Sequence, residues 1–250
     1  MNGLTFNGVH SDTLGLVMKT VQRSAGAPVR QKEIVIPGRD GAFVFPYKKR
    51  DNKTHIAKFT YSAASMADIR QKERQIGAWL SAQEAPLIFD DEPDVAYLAT
   101  AYSEITPTED YLTREIEIEF VCQPFGFATE EEGVERYITG AHQESIDYIG
   151  TQLIGLGSQQ GSFFVVEIEG SFTDIQVSIN DATISFDTAL TGGKITIDNT
   201  NGTIKSGGEN IIDEATFSNF FTLYPGGNLM QIDGTGLDCY VRARYKALYV

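Results

Sequence analysis

Between Thr113 and Val121 the chain alternates strictly: Ile116, Ile118 and Phe120 interleave with Glu115, Glu117 and Glu119. A period of two predicts a strand with one face buried and one face acidic. Shorter runs of the same kind predict strands at Leu4-Phe6, Glu33-Ile36, Ala42-Phe45, His55-Tyr61, Pro86-Phe89 and Val95-Ser103. The period changes once. From Met66 to Leu80, Ile69, Ile76, Trp79 and Leu80 fall on one helical face, and Arg70, Lys72, Glu73 and Arg74 cover much of the rest. Ser65 and Asp68 have the spacing of a capping box, with Asp in place of Glu. Trp79 shares the apolar face and reads as a core anchor.

After about residue 158 only short β runs remain: Phe163-Glu169, Ile175-Ile179, Thr183-Phe186, Lys194-Ile197, Thr203-Lys205, Phe220-Leu223, Leu229-Asp233 and Cys239-Tyr245. Gly, Asn and Asp separate them, and Asn201-Gly202 is a hairpin signal. Such spacing predicts an antiparallel sandwich or jelly roll. The stretch 131–157 is acidic at its start and glycine-rich at its end, and reads as a connector. The expected organisation is a mixed domain over 1–130, a connector over 131–157 and an all-β domain over 158–250.

The segment Glu33 to Phe45 is the most telling local feature. Two β runs flank Pro37-Gly38, which bends the chain, and Asp40-Gly41, which reverses it. Nothing here can attack a bond or shuttle a proton. The segment shapes backbone.

Charge adds a second asymmetry. The chain of 250 residues carries −14 overall. Residues 1–130 hold 14 Lys/Arg against 18 Asp/Glu, and residues 131–250 hold 6 against 16. An acidic surface repels phosphate, so specific nucleic-acid binding is not expected. Within this acidic chain Lys48, Lys49, Arg50 and Lys53 form the most basic cluster. It reads as a solvated hairpin tip or as a contact on a neighbouring subunit's acidic surface. Glu115, Glu117 and Glu119 read as a solvated face or as an acidic row facing a lumen or partner. No apolar run approaches the ~18–20 residues that span a bilayer. The N-terminus lacks a basic region followed by an apolar core, so folding in a cytoplasm is expected. Cys122 and Cys239 are the only cysteines. They read as reduced core residues, although a disulfide is open on sequence alone.

Few residues of this chain stand in patterns that carry chemistry. His10, His55 and His142 lack zinc-ligand spacing. Thr191-Gly192-Gly193-Lys194-Ile195 lacks the pattern of a phosphate loop, and no G-x-S-x-G elbow occurs. Asp90-Asp91-Glu92-Pro93-Asp94 reads as a loop, because the EF-hand alternation is absent, and Asp198-Asn199-Thr200-Asn201-Gly202 reads as a hairpin turn. No enzyme, metal or cofactor is expected. Hydrolysis by two converging carboxylates has no motif behind it.

Several stretches, in order, resemble the distal tail proteins (Dit) of long-tailed bacteriophages. They are Phe6-Asn7-Gly8-Val9-His10-Ser11 with Leu14-Gly15-Leu16, then Ile36-Pro37-Gly38-Arg39-Asp40-Gly41, then the helix end at Trp79-Leu80. Leu87-Ile88-Phe89-Asp90-Asp91-Glu92-Pro93 with Tyr97 follows, then Phe120-Val121-Cys122-Gln123-Pro124-Phe125 and Phe220 to Leu229. The resemblance implies a mainly β fold with one helix. The N-terminal domain would be a tail-tube-like β-sandwich plus helix, and the C-terminal domain a galectin-like or jelly-roll sandwich. It also implies a structural role at the virion tail tip: a homo-hexameric ring that joins the tail tube protein to the tail-tip hub protein, carries a receptor-binding protein in some tails, and lets DNA pass. On that reading Lys48, Lys49, Arg50 and Lys53 belong to the ring contact and Glu115, Glu117 and Glu119 to the lumen. The alternative is a pair of carbohydrate-binding modules for cell-wall glycan. Exposed rings are the usual sugar platforms, which leaves Tyr224 and Tyr240 as candidate contacts, with the Phe residues of that domain assigned to the core.

Overall fold

The computed structural model describes residues 3–101 and 107–250, without the side chains of residues 46–48, 109 and 110. The chain divides into two compact units, Met1–Gly126 with Val250, and Phe127–Tyr249.

The first unit contains β1 (Leu4–Phe6), β2 (Val9–His10), β3 (Val17–Arg23), β4 (Val29–Val35), β5 (Ala42–Arg50), β6 (Lys53–Ser62), helix α1 (Met66–Leu80), β7 (Ala85–Phe89), β8 (Glu92–Ala101), β9 (Thr108–Asp110) and most of β10 (Thr113–Ala128). The main sheet runs in the order β2-β1-β7-β8-β10-β6-β3, with β9 added to β10. The expected alternation sets its faces. Ile116, Ile118 and Phe120 are buried, as are Ala57, Phe59 and Tyr61 of the paired β6. Helix α1 begins at Ser65, whose hydroxyl accepts the Asp68 N–H at 3.2 Å and donates to the Asp68 carboxylate at 2.7 Å. Ile69, Ile76, Trp79 and Leu80 are its buried residues, the face that periodicity predicted. Trp79 meets Phe6 edge-on at 6.0 Å between ring centroids, and its indole N–H donates to the Phe6 carbonyl at 2.9 Å. A buried indole thereby keeps its one donor satisfied.

Strands β4 and β5 lie outside this sheet and form a two-stranded arm of their own. Gly38 and Gly41 take φ of +83° and +76° at its tip, values that side chains disfavour and that account for glycine there. The strand expected to end at Ser103 continues through Ala101; Tyr102 and Ser103 lie outside the described residues.

The second unit contains the end of β10 and then β11 (Glu132–Ile138), β12 (His142–Tyr148), β13 (Phe163–Phe172), β14 (Asp174–Ile179), β15 (Ala182–Phe186), β16 (Leu190–Asp198), β17 (Thr203–Ser206), β18 (Glu209–Asn210), β19 (Ala215–Phe217), β20 (Gly226–Thr235), β21 (Asp238–Lys246) and β22 (Leu248–Tyr249). Two antiparallel sheets, β11-β21-β13-β16-β17-β18 and β12-β20-β14-β15-β19, enclose one core. Phe164, Val166, Ile168, Val177, Ile179, Ile232 and Val241 alternate inward from both sheets, as a sandwich requires. Phe164, Phe172, Phe186 and Phe221 are buried in it, whereas Phe217 is exposed.

Residues 131–157, read in the sequence as a connector, are part of this sandwich. Here β11 pairs with β21, β12 pairs with β20, and Ile154 is buried and bridges to Leu223. Asn228 pins the loop before β20. Its carbonyl oxygen accepts from Tyr224 N–H and from the Asn180 amide, both at 2.8 Å. Its own amide donates to the carbonyls of Tyr224 at 2.8 Å, Gly226 at 2.9 Å and Ile146 at 3.4 Å. The Tyr224-to-Leu229 motif is therefore a backbone device with its buried amide fully satisfied.

Candidate functional site

The arm is the unusual surface of the first unit. Every residue of β4 is exposed. Ile34, Phe43 and Phe45 share one face, and the Phe43 and Phe45 rings meet at 4.7 Å; Val35 and Val44 lie on the other. Val35 is 75% exposed. A two-stranded ribbon without a core is marginal by itself in water. Contiguous exposed apolar side chains on such a ribbon mark a docking surface. The arm is also cationic. Residues 29–51 hold Arg30, Lys32, Arg39, Lys48, Lys49 and Arg50 against Glu33, Asp40 and Asp51, in a chain that is otherwise strongly acidic.

The basic cluster occupies a different place from the hairpin tip expected of it. It lies at the base of the arm, where the chain leaves β5 for the main sheet. Lys49 is exposed. Arg50 donates to the Ala27 carbonyl at 2.8 Å, and Arg30 pairs with Asp51, which fixes the root of the arm. The Lys48 side chain lies outside the described residues. Lys53 is 3% exposed, with its ammonium 4.6 Å from the centre of the Tyr97 ring. It is the first inward residue of β6, so it is not on the surface with Lys49. Burial holds its pKa below the usual lysine value.

Beside Lys53 sits a buried polar group of the main sheet. His55 is 2% exposed and lies edge-on to Tyr97 and Phe89 at 5.0 and 5.7 Å. Its Nδ1 accepts the Ser24 N–H at 3.3 Å, which puts the proton on Nε2, an atom with no hydrogen-bond partner. Burial first, then the Lys53 and Arg23 charges, push its pKa down to about 4. Tyr97 donates to Glu92 at 3.2 Å, and burial pushes its phenol up to about 12. Cys122 is buried alongside, its thiol also pushed up to about 12 by burial. Thiols of this kind are inert. Cys239 is likewise buried and free.

Arg114 is the other buried charge. It is in phase with Ile116 and Ile118, 1% exposed, and donates to the carbonyls of Tyr111 at 2.7 Å and Thr113 at 3.0 Å, with the Glu73 carboxylate 3.8 Å away. The sequence reading placed Lys53 on the surface with its basic neighbours and passed over Arg114. Extending the alternation of β6 and β10 by one step would have found them.

Glu115, Glu117 and Glu119 line the opposite face of β10, and Lys58 of β6 pairs with Glu117 at 2.7 Å. This hydrogen bond raises the Lys58 pKa. Asp90 is tied to Gly3 N–H and His10, and Arg23 to Asp91 and Glu92, so the acidic turn is held by protein groups. Asp198 accepts the N–H groups of Thr200 and Asn201, both at 3.0 Å, as a hairpin turn does. Among the described residues no cluster has the makeup of a metal site.

In the second unit the outer face of the six-stranded sheet is a ladder of ion pairs. Arg244 joins Glu131 to Glu167, Lys194 adds to Glu167, and Arg242 joins Glu135 to Glu169. Burial alone would raise the Glu167 pKa, but Lys194 and Arg244 outweigh it and leave the carboxyl below its usual range. Tyr240 sits at the end of this ladder, 44% exposed, with Tyr137 directly opposite at 5.0 Å and Arg242 over its ring. Tyr224 is 50% exposed, on the loop that Asn228 pins. The structure does not bring the two tyrosines into one group.

Residues 12–122 match the model of the phage tail protein RIFT-related domain, and residues 158–249 match that of the C-terminal domain of the siphovirus-type tail component. The crystal structure of the SPP1 Dit protein (gp 19.1), described as a paradigm of the hub adsorption apparatus in phages infecting Gram-positive bacteria, superposes with a TM-score of 0.76 at 13% identity, with both chains covered in full. A chain of the phage p2 baseplate in its activated conformation aligns over 98% of both chains at 12% identity with a TM-score of 0.45. No curated protein sequence matches the chain. With matched regions in both units and a fold that is mainly β with a single described helix, the chain belongs to the siphovirus distal tail (Dit) proteins, structural components of the tail hub.

Proposed function

We propose that six copies of this chain close into a ring at the end of the tail, join the tail tube to the tip proteins, and leave a central opening for DNA. The reading is of a scaffold that acts without catalysis. The arm is the observation that carries it. Ring closure needs a heterologous interface, with two different patches on each copy. An apolar, cationic ribbon beside an acidic sheet surface supplies two such patches in one chain. Lys49 and Arg50 at the base of the arm, with Lys48 preceding them in sequence, would bear on the acidic surface of the next copy. Lys53, buried under Tyr97, would support the root of the arm from within. Glu115, Glu117 and Glu119 would face the opening, where like charge offers DNA no adsorbing well.

Native mass measurement over a range of concentrations tests the proposal. The wild-type protein should give a six-copy species. Phe43→Ser with Phe45→Ser should reduce it to single copies, and Lys48→Glu with Lys49→Glu and Arg50→Glu should weaken it in moderate salt. The emission of Trp79 checks that each variant is folded. A wild-type protein that stays single at every concentration and does not join a tube end refutes the reading, and so does a ring indifferent to both sets of changes.

A further inference from the structure

Two roots hold the arm to the main sheet. The outgoing root, residues 24–28, joins β3 to β4, and the returning root, residues 50–53, joins β5 to β6. They hold each other: Asp51 N–H donates to the Pro28 carbonyl at 2.8 Å, and the Arg50 guanidinium donates to the Ala27 carbonyl at 2.8 Å. Strand β3 leaves its ladder with β6 at Arg23, which pairs with His55. Ser24 comes next, and two of its groups bond to β6. Its hydroxyl donates to the Thr54 carbonyl at 2.9 Å, and its N–H donates to Nδ1 of His55 at 3.3 Å. Ser24 is exposed and His55 is buried, so on the Nδ1 side this residue stands between the imidazole and water.

The bond to Nδ1 exists only while the ring is neutral. A protonated imidazole carries hydrogen on both nitrogens, so Nδ1 turns from acceptor to donor and confronts the Ser24 N–H, another donor. The new charge arises among like charges. Lys53 lies two residues back on the same face of β6, and Arg23 lies opposite on β3. Glu92 of β8 is already engaged by Arg23 and by the Tyr97 phenol. Tyr97, also of β8, and Cys122 of β10, opposite Lys53, stay uncharged, and Phe89 of β7 adds only an apolar ring. Water is the remaining partner, and moving Ser24 aside admits it.

We propose that His55 is a proton-operated latch: protonation of its imidazole expels Ser24 and loosens the outgoing root of the arm, while β6 keeps its ladder with β10. Linkage sets the size of the effect. With Ser24 seated, burial and the two neighbouring cations hold the histidine at about 4; with Ser24 displaced and water admitted, the ordinary value of 6.5 returns. Protons therefore favour the displaced form, whose population relative to the seated one rises about 20-fold from pH 7 to pH 5.

Residue-resolved hydrogen exchange on the full chain, in low concentrations of urea, tests the proposal. It reads the root of the arm within one copy, so its outcome is independent of whether copies assemble. After correction for the intrinsic pH dependence of exchange, the amides of Ser24 and Asp51 should open about 20-fold more often at pH 5 than at pH 7, without dependence on urea. Indifference to urea marks a local opening that exposes little surface, and separates it from unfolding of the whole unit. His55→Asn puts an amide oxygen where Nδ1 stood, so it should keep the bond and abolish the acid response. Ser24→Gly loses only the bond to Thr54, so it should raise opening at both pH values and preserve the ratio between them. The emission of Trp79 checks that each variant is folded. Exchange at Ser24 and Asp51 that follows urea-dependent unfolding alone overturns the proposal. A flat wild-type ratio overturns it too, as does an acid response that survives in His55→Asn. Should that variant fail to fold, the wild-type ratio and its urea dependence decide.

Discussion

His55 should make the first unit acid-sensitive over a defined window. In the folded chain its pKa falls from 6.5 to about 4, chiefly through burial, with Lys53 and Arg23 adding repulsion. At ~1.4 kcal/mol per unit this amounts to about 3 kcal/mol. The sign follows from proton counts. Between pH 6.5 and 4 the unfolded chain carries a proton on this histidine and the folded chain does not, so stability falls as pH falls. The loss begins near pH 6.5, reaches about 2 kcal/mol at pH 5 and levels off below pH 4. Trp79 is the only tryptophan and lies in the first unit, so urea unfolding followed by its fluorescence reports that unit alone. His55→Phe should keep the packing against Phe89 and Tyr97 while removing the titrating group. Background titration of the carboxylates cancels in the difference between wild type and variant. That difference should shift by about 2 kcal/mol in favour of the variant between pH 7 and pH 5. A difference that stays flat refutes the argument, because a neutral buried imidazole cannot be silent over this range.

Two further outcomes follow from local geometry. Asn228→Ala leaves Tyr224 N–H and three carbonyls without their partner, which should cost about 3 kcal/mol and lower the calorimetric midpoint of the second unit by roughly 10 °C, with the Trp79 transition unmoved. Cys122 and Cys239 should resist a thiol reagent in the native protein and both react in urea, since both are buried and burial raises both thiols above their usual range; fast labelling of either at neutral pH would contradict that placement.

The helix was legible in full because three independent signals coincide: the 3.6-residue face, the Ser65 cap and the change of period from the flanking strands. The arm was legible as a turn between two β runs, since Gly38 and Gly41 are forced by backbone conformation. Its separation from the main sheet was not, because partner choice between strands leaves no mark in either strand alone. Strand β11 escaped notice for a physical reason: of its seven residues only Ile138 is buried, so it carries no alternation and is held by its ladder with β21. Lys53 and Arg114 were misread or missed because residue type outweighed phase; each falls on an inward position of a strand whose other inward residues are apolar or aromatic. The bond from Ser24 to His55 was out of reach, since it forms only once β3 and β6 pair in register.

The root of the arm has a mechanical consequence. The chain leaves β5 at Arg50 and enters β6 at Lys53, and β6 is paired along its length with β10 on one side and β3 on the other. Tension applied through the arm along the axis of β6 therefore loads ten register pairs with β10 side by side, in shear, rather than peeling them open one after another. Force from a tugging neighbour would spread through the stiffest part of the unit before any single bond had to yield.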